Sequence, residues 1–98
     1  MEFNTTPALR DIRILSLALN LPGPAALMRL RSMGATCTKA EPPAPEGLAS
    51  SDPMLQYNAA AYEHMHQGIK TLAINLKTDV GQARLHKELA RTDVLLTS

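Results

Sequence analysis

The sequence predicts an α/β fold on a parallel sheet, and three observations carry that expectation. Short apolar or β-branched runs alternate with stretches of helical period. Glycines and prolines mark the changes between them. The 98 residues allow one domain at most, with one modest core. The arrangement reads as βαβ followed by αβαβ, about four strands and three helices.

The elements follow in order. Residues 1–10 are a polar lead-in. Ile12, Ile14, Leu15, Leu17 and Leu19 form a dense apolar run, suited to a strand buried on both faces. It ends at Asn20-Leu21-Pro22-Gly23-Pro24, a tight turn in which Pro24 fits the first turn of a helix. Ala25 to Met33 is that helix, with Ala26, Leu27, Leu30 and Met33 on its inward stripe. Gly34 stops it. Thr36 to Ala40 is the second strand, which closes a parallel βαβ unit. Residues 41–53 carry four of the seven prolines and are expected to form an exposed Pro-rich loop.

Met54 to His66 is Ala-rich, with Leu55, Ala59, Tyr62 and Met65 near helical spacing, and Gly68 ends it. Lys70 to Leu76 is a third strand. Thr78-Asp79 supplies a helix cap, with Gln82 completing a capping-box pattern. The helix runs from Val80 to about Arg91, with Val80, Ala83 and Leu89 inward. Asp93 to Leu96 is a fourth strand. Ligands of open α/β sheets bind beyond the carboxyl ends of the strands, so the loop after this last strand, which the 98 residues do not include, would belong to a binding edge.

Composition excludes several classes. A net charge of +1 and three aromatics, Phe3, Tyr57 and Tyr62, offer no basic patch or stacking platform for nucleic acid. One cysteine, Cys37, excludes an internal disulfide and suggests a reducing, cytoplasmic setting. No apolar run approaches a membrane span, and the N-terminus lacks the pattern of a secretory signal.

Candidate chemistry is sparse. Gly23 could bring a ligand phosphate to backbone N–H groups at a helix N-terminus, or could simply be a turn glycine. No G-x-G-x-x-G follows, and Pro22 and Pro24 remove two donors. His64 and His66, two apart on a helix, point about 200° apart, and with His86 as a third imidazole they favour surface histidines over a metal site. Cys37 reads as a buried structural thiol. Lys39 and Lys77 lie near strand ends, where each could meet a phosphate or remain a solvated surface lysine. No catalytic triad, P-loop or carboxylate pair stands out.

Four motifs then resemble one family. They are Leu9 to Leu15 followed by Pro22-Gly23-Pro24; Met33-Gly34-Ala35-Thr36-Cys37-Thr38-Lys39-Ala40-Glu41-Pro42-Pro43; Gly68 to Thr78 with Gly81; and Ala90 to Leu96. The second is similar to Leu-Gly-Ala-x-Val-x-Lys-Val-Glu-Pro-Pro, and the third to Gly-Lys-Arg-Ser-x-Ala-Leu-Asp-Leu-Lys-Thr-x-x-Gly. In this order they resemble the N-terminal segment of class III CoA transferases, the family of formyl-CoA transferase, carnitine CoA-transferases and α-methylacyl-CoA racemase.

The resemblance implies a Rossmann-like domain that binds coenzyme A or acyl-CoA without a metal, and an interlocked homodimer. It implies transfer of CoA between carboxylic acids through an aspartyl anhydride and an enzyme-bound thioester, or proton exchange in racemase members. The family's aspartate lies beyond residue 98, so no catalytic residue is expected here and the segment alone is expected to be inactive. Asn20, Leu21 and Pro22 correspond to the segment that touches CoA and the acyl group. Leu21 stands where formyl-CoA transferases have glutamine, and Pro22-Gly23-Pro24 is closer to the racemase pattern. Pro42 replaces an arginine that several members place near the adenosine phosphates. Ile74 matches a position lining the adenine, Lys77 one near the phosphates, and Ser98 the asparagine of Glu-Asn-Phe.

Two readings follow. One is the N-terminal CoA-binding part of a class III transferase or racemase-like enzyme, an incomplete sheet over residues 1–98. The other is a non-catalytic interaction or remnant module without bound ligand. The first predicts exposed apolar strand surface near Val94–Leu96.

Overall fold

The computed structural model describes residues 8–97. The elements are β1 (Arg13–Ser16), α1 (Pro22–Ser32), β2 (Thr36–Glu41), α2 (Pro53–Tyr57), α3 (Ala59–Met65), β3 (Lys70–Ala73), α4 (Asp79–Leu89) and β4 (Val94–Leu96). The four strands form one sheet in the order β3-β2-β1-β4, and every pairing is parallel. Four helices accompany it among the described residues. This is the Rossmann-like α/β arrangement expected.

Alternation along the strands separates two faces. Ile14 and Cys37 point to one face, where Leu27, Ala35 and Ile69 complete a buried cluster and Leu30 packs against it. Leu15, Ala40, Leu72 and Ile74 point to the other, under Leu85 and Leu89 of α4. β4 is an edge strand, and its Val94 and Leu95 are 46% and 45% exposed.

Several boundaries differ from the sequence reading. Helix α1 starts at Pro22, not Ala25. Pro22 and Pro24 lack N–H groups that the first turn would leave unpaired anyway, so the turn itself is helical. The buried stripe of α1 is therefore Gly23, Pro24 and Leu27, and Ala26 and Met33 are exposed. Gly23 packs tightly there: a Cβ on it would meet the Ala18 Cβ at 2.3 Å. Gly23 is thus a close-packing residue between α1 and the end of the first strand.

The single helix expected over Met54–His66 is two helices. Asn58 breaks it with φ −155° and ψ 77°, and its side chain accepts the Ala61 N–H as the cap of α3. Asparagine bonds locally to backbone, which favours caps over helix interiors. In α4, Thr78 is the cap and accepts the Gly81 N–H at 3.0 Å. Gln82 does not complete a capping box but donates to the Leu76 carbonyl. Gly81 takes the inward position of the first turn, because a Cβ there would overlap the Asn75 carbonyl oxygen at 1.7 Å. Leu85 and Leu89 continue that stripe. Val80, expected inward, is consequently 81% exposed, and Ala83 is exposed too.

Within the stretch 41–53, Pro42 to Ala49 and Pro53 are exposed. Glu41, Ser50 and Asp52 are buried, so the loop returns to the protein at its far end.

Candidate functional site

The carboxyl ends of the strands carry a groove of about 180 Å³. Leu17 and Leu19 border it after β1, Ala40 to Pro42 at the end of β2, and Ile74 to Lys77 after β3. The Glu41 carbonyl accepts the Ile74 N–H at 2.8 Å, extending the ladder between the two walls by one residue past Ala73. Asn75 then turns the chain: its Oδ1 accepts the Lys77 N–H at 3.0 Å and its carbonyl accepts the Thr78 N–H at 3.2 Å. That turn places Ile74 in the floor, buried, and Lys77 at the solvent-exposed rim. The result is a mostly aliphatic slot with one cation at its edge.

Behind the β2 wall lies a network that the sequence reading did not find. Lys39, taken there as near a strand end and open to solvent or phosphate, is 0% exposed. It lies on the same face of β2 as Cys37 and Glu41. Its ammonium donates to Asp52 Oδ2 and to His66 Nε2 at 2.9 Å, and forms an ion pair with Glu41 Oε2 at 2.8 Å. Lysine has three donors and no acceptor, and three acceptors surround it here. The Tyr62 ring lies beside it, 5.3 Å from Nζ to centroid.

The acceptors are held in turn. Glu41 Oε1 accepts the Ser50 hydroxyl at 2.6 Å, and Oε2 accepts the Tyr62 hydroxyl at 2.9 Å. Asp52 caps α2 by accepting the Met54 N–H at 2.9 Å, and the same Oδ1 accepts the Asn20 N–H at 2.9 Å. His66 stacks on Tyr62 with centroids 3.9 Å apart. Its Nδ1 lies 2.6 Å from the Tyr62 carbonyl. A carbonyl only accepts, so Nδ1 carries the proton and Nε2 is free to accept from Lys39. His66 is therefore half-buried and engaged rather than a surface histidine.

The electrostatics follow from this packing. Burial pushes both carboxyls up, but hydrogen bonds from Lys39 and its charge outweigh burial, so Glu41 and Asp52 sit below their ordinary values. Ser50 and Tyr62 add to the effect at Glu41, and the Met54 and Asn20 N–H groups at Asp52. Burial and the neighbouring ammonium hold His66 below its ordinary value against the pull of the carboxylates. Burial raises the Cys37 thiol, as expected of a structural cysteine. Glu41, Asp52 and His66 offer ligand atoms within 4.8 Å of one another. The Lys39 ammonium lies among these three atoms, within 2.9 Å of those of Glu41 and His66 and bonded to Asp52 as well.

The candidate binding residues divide into two sets. Ile74 and Lys77 line the groove. Asn20, Leu21 and Pro22 are not among the lining residues and sit just past Leu19. Asn20 adopts φ +67°, a left-handed conformation asparagine tolerates, and its Oδ1 accepts the Tyr57 hydroxyl. Leu21 is exposed, and Pro22 opens α1. Ser98 lies outside the described residues.

In open parallel α/β sheets, ligands bind in a slot of this kind, across the carboxyl edge of the strands. The sequence model of CoA-transferase family III matches residues 9–98, and the chain belongs to that family. It is 30% identical to a cinnamoyl-CoA:phenyllactate CoA-transferase of Clostridium sporogenes over 97% of this chain and 24% of that protein. It is also 30% identical to a succinyl-CoA:mesaconate CoA-transferase of Haloarcula marismortui over 91% of this chain and 24% of that protein. The chain thus spans about a quarter of the length of the curated relatives it matches. No solved structure matches it at a significant level. No helix among the described residues is long and apolar enough to cross a membrane.

Proposed function

We propose that this chain supplies the coenzyme A-binding edge of a CoA transferase, with the cofactor's nucleotide end in the groove between β2 and β3. The observation that carries the reading is the groove's position and lining. It lies beyond the carboxyl ends of the strands, with an aliphatic floor at Ile74 and a cation at its rim in Lys77. An adenine ring suits the first and a phosphate the second. Pro42 borders the same slot without contributing charge, which leaves Lys77 as the cation among the lining residues. The reaction of the whole enzyme would move CoA between carboxylic acids through an aspartyl thioester route. The aspartate would come from chain beyond this segment. A homodimer and a cytoplasmic location complete the reading. The edge strand β4, with Val94 and Leu95 exposed, offers surface for such an assembly.

Isothermal titration of the chain with coenzyme A tests this. Saturable binding is expected, weakened roughly tenfold or more in Lys77→Ala through loss of a charge-assisted phosphate contact. Absence of binding would support a scaffold module without ligand and overturn the reading, and equal binding by Lys77→Ala would overturn the assignment of Lys77 to the phosphate.

A further inference from the structure

The acceptors around Lys39 come from three segments: Glu41 ends β2, Asp52 caps α2, and His66 follows α3. Two carboxylates and an imidazole converging on one point are a donor set suited to a divalent metal. Here the occupant is a side-chain ammonium, within 2.9 Å of the Glu41 and His66 acceptors and bonded to Asp52 as well. The carboxylates pass its position on to the groove. Asp52 accepts the Asn20 N–H, which fixes the turn directly after the groove residue Leu19. Glu41 is itself a groove residue whose carbonyl holds Ile74. One cation therefore ties together two separate walls of the slot.

We propose that Lys39 is a positioning residue for the coenzyme A groove, a built-in cation that stands in place of a metal ion and holds the Leu19–Asn20 turn against the Glu41–Pro42 wall. The proposal rests on the groove being the coenzyme A site. It makes a demand that a merely packed lysine does not make: another cation placed at the same point should restore the groove. In Lys39→Ala the three donor atoms, within 4.8 Å of one another, face an ammonium-sized space. Zinc bonds oxygen and nitrogen at roughly 2.0–2.2 Å, so they need to close in by less than about 1 Å.

The experiment titrates the 98-residue chain with acetyl-CoA, which has no free thiol to take up metal, and follows thermal melting in parallel. Lys39→Ala is expected to melt roughly 10 °C or more lower and to bind acetyl-CoA roughly tenfold more weakly. One equivalent of Zn²⁺, with excess removed, restores both, and leaves the wild-type chain unchanged. Should Lys39→Ala fold only with zinc, Asp52→Asn carries the test. It keeps an oxygen for the Met54 and Asn20 N–H groups, loses the charge facing Lys39, and is expected to weaken acetyl-CoA binding several-fold.

Wild-type affinity in a folded Lys39→Ala or Asp52→Asn chain overturns the proposal. So does zinc that restores melting and not affinity, because the node would then support the fold alone. If the wild-type chain binds no acetyl-CoA, the groove reading itself falls. The internal-cation assignment is then still decided by the melting data, since a Lys39→Ala chain that zinc does not restabilise refutes it.

Discussion

The two faces of β2 are stabilised by opposite physics, although they are made by alternate residues of one strand. Ala40 joins Leu15, Leu72 and Ile74 in an aliphatic cluster under α4. Lys39 and Glu41, on either side of it, join Asp52 and His66 in a charged network under α2 and α3. The aliphatic face is non-directional, and its stability follows the area removed from water. The charged face is directional and fully paired, with no buried side-chain polar atom unsatisfied among the described residues. Its members depend on one another, because removing one strands the rest in a region closed to water.

Substitution on each side measures that difference. Lys39→Ala, which leaves two buried carboxylates without their cation, is expected to cost about 3–5 kcal/mol in urea unfolding. Leu15→Ala on the other face is expected to cost about 3 kcal/mol through lost burial and a residual cavity. The comparison breaks if lowering the pH changes the two deficits alike. Glu41 and Asp52, buried without their cation, should take up protons and shrink the Lys39→Ala deficit, and the Leu15→Ala deficit should stay unaltered.

The aliphatic face was legible in the sequence and the charged one was not. Leu15, Leu72 and Ile74 stand in apolar runs, and their period assigns them to strands without knowledge of the fold. Lys39, Glu41 and Asp52 are residue types that lie outside in most proteins, and their partners are up to 32 residues away along the chain. One local signal did exist. Cys37, Lys39 and Glu41 alternate on one face of a strand, and Cys37 was already expected to be buried. The Gly81 stripe was obscured for a different reason: Val80 is apolar, yet the position facing the strand end has no room for a Cβ. Ile74 and Lys77 were placed by family resemblance, and the turn at Asn75 brings both to one groove.

Acid should separate the faces further. His66 is faced by Lys39, Glu41, Asp52 and the Tyr62 ring. In the unfolded chain it takes a proton near its ordinary 6.5, but in the fold burial and then the Lys39 charge hold it lower. The unfolded state binds more protons between those values, so stability is complete above 6.5 and is lost as pH falls through that window. Glu41 and Asp52 open a second window of the same sign. Their contribution is present above the ordinary 4.5 and 3.8 and disappears as pH falls through their lowered folded values. Urea midpoints taken from about pH 8 to about pH 3 should therefore fall in two stages. His66→Gln, which keeps a side-chain acceptor for Lys39, should remove the first stage only. A first stage that survives in His66→Gln would place the titrating group elsewhere.

The smallest expected effect tests whether the charged face is uniformly dependent on every member. Tyr62 contributes a ring stacked on His66 and a hydroxyl that donates to Glu41 Oε2. Tyr62→Phe keeps the ring and deletes one donor. Glu41 still has Lys39 and Ser50, so no carboxylate oxygen is left without a partner. The loss should be about 1 kcal/mol, the net worth of one hydrogen bond, and not the larger penalty of an orphaned charge. A loss as large as that of Lys39→Ala would mean that the hydroxyl, and not the ammonium, holds Glu41 in the network. A loss near 1 kcal/mol, taken with the pH profile of Tyr62→Phe unchanged at its His66 stage, would locate the cooperativity of this face in its single cation.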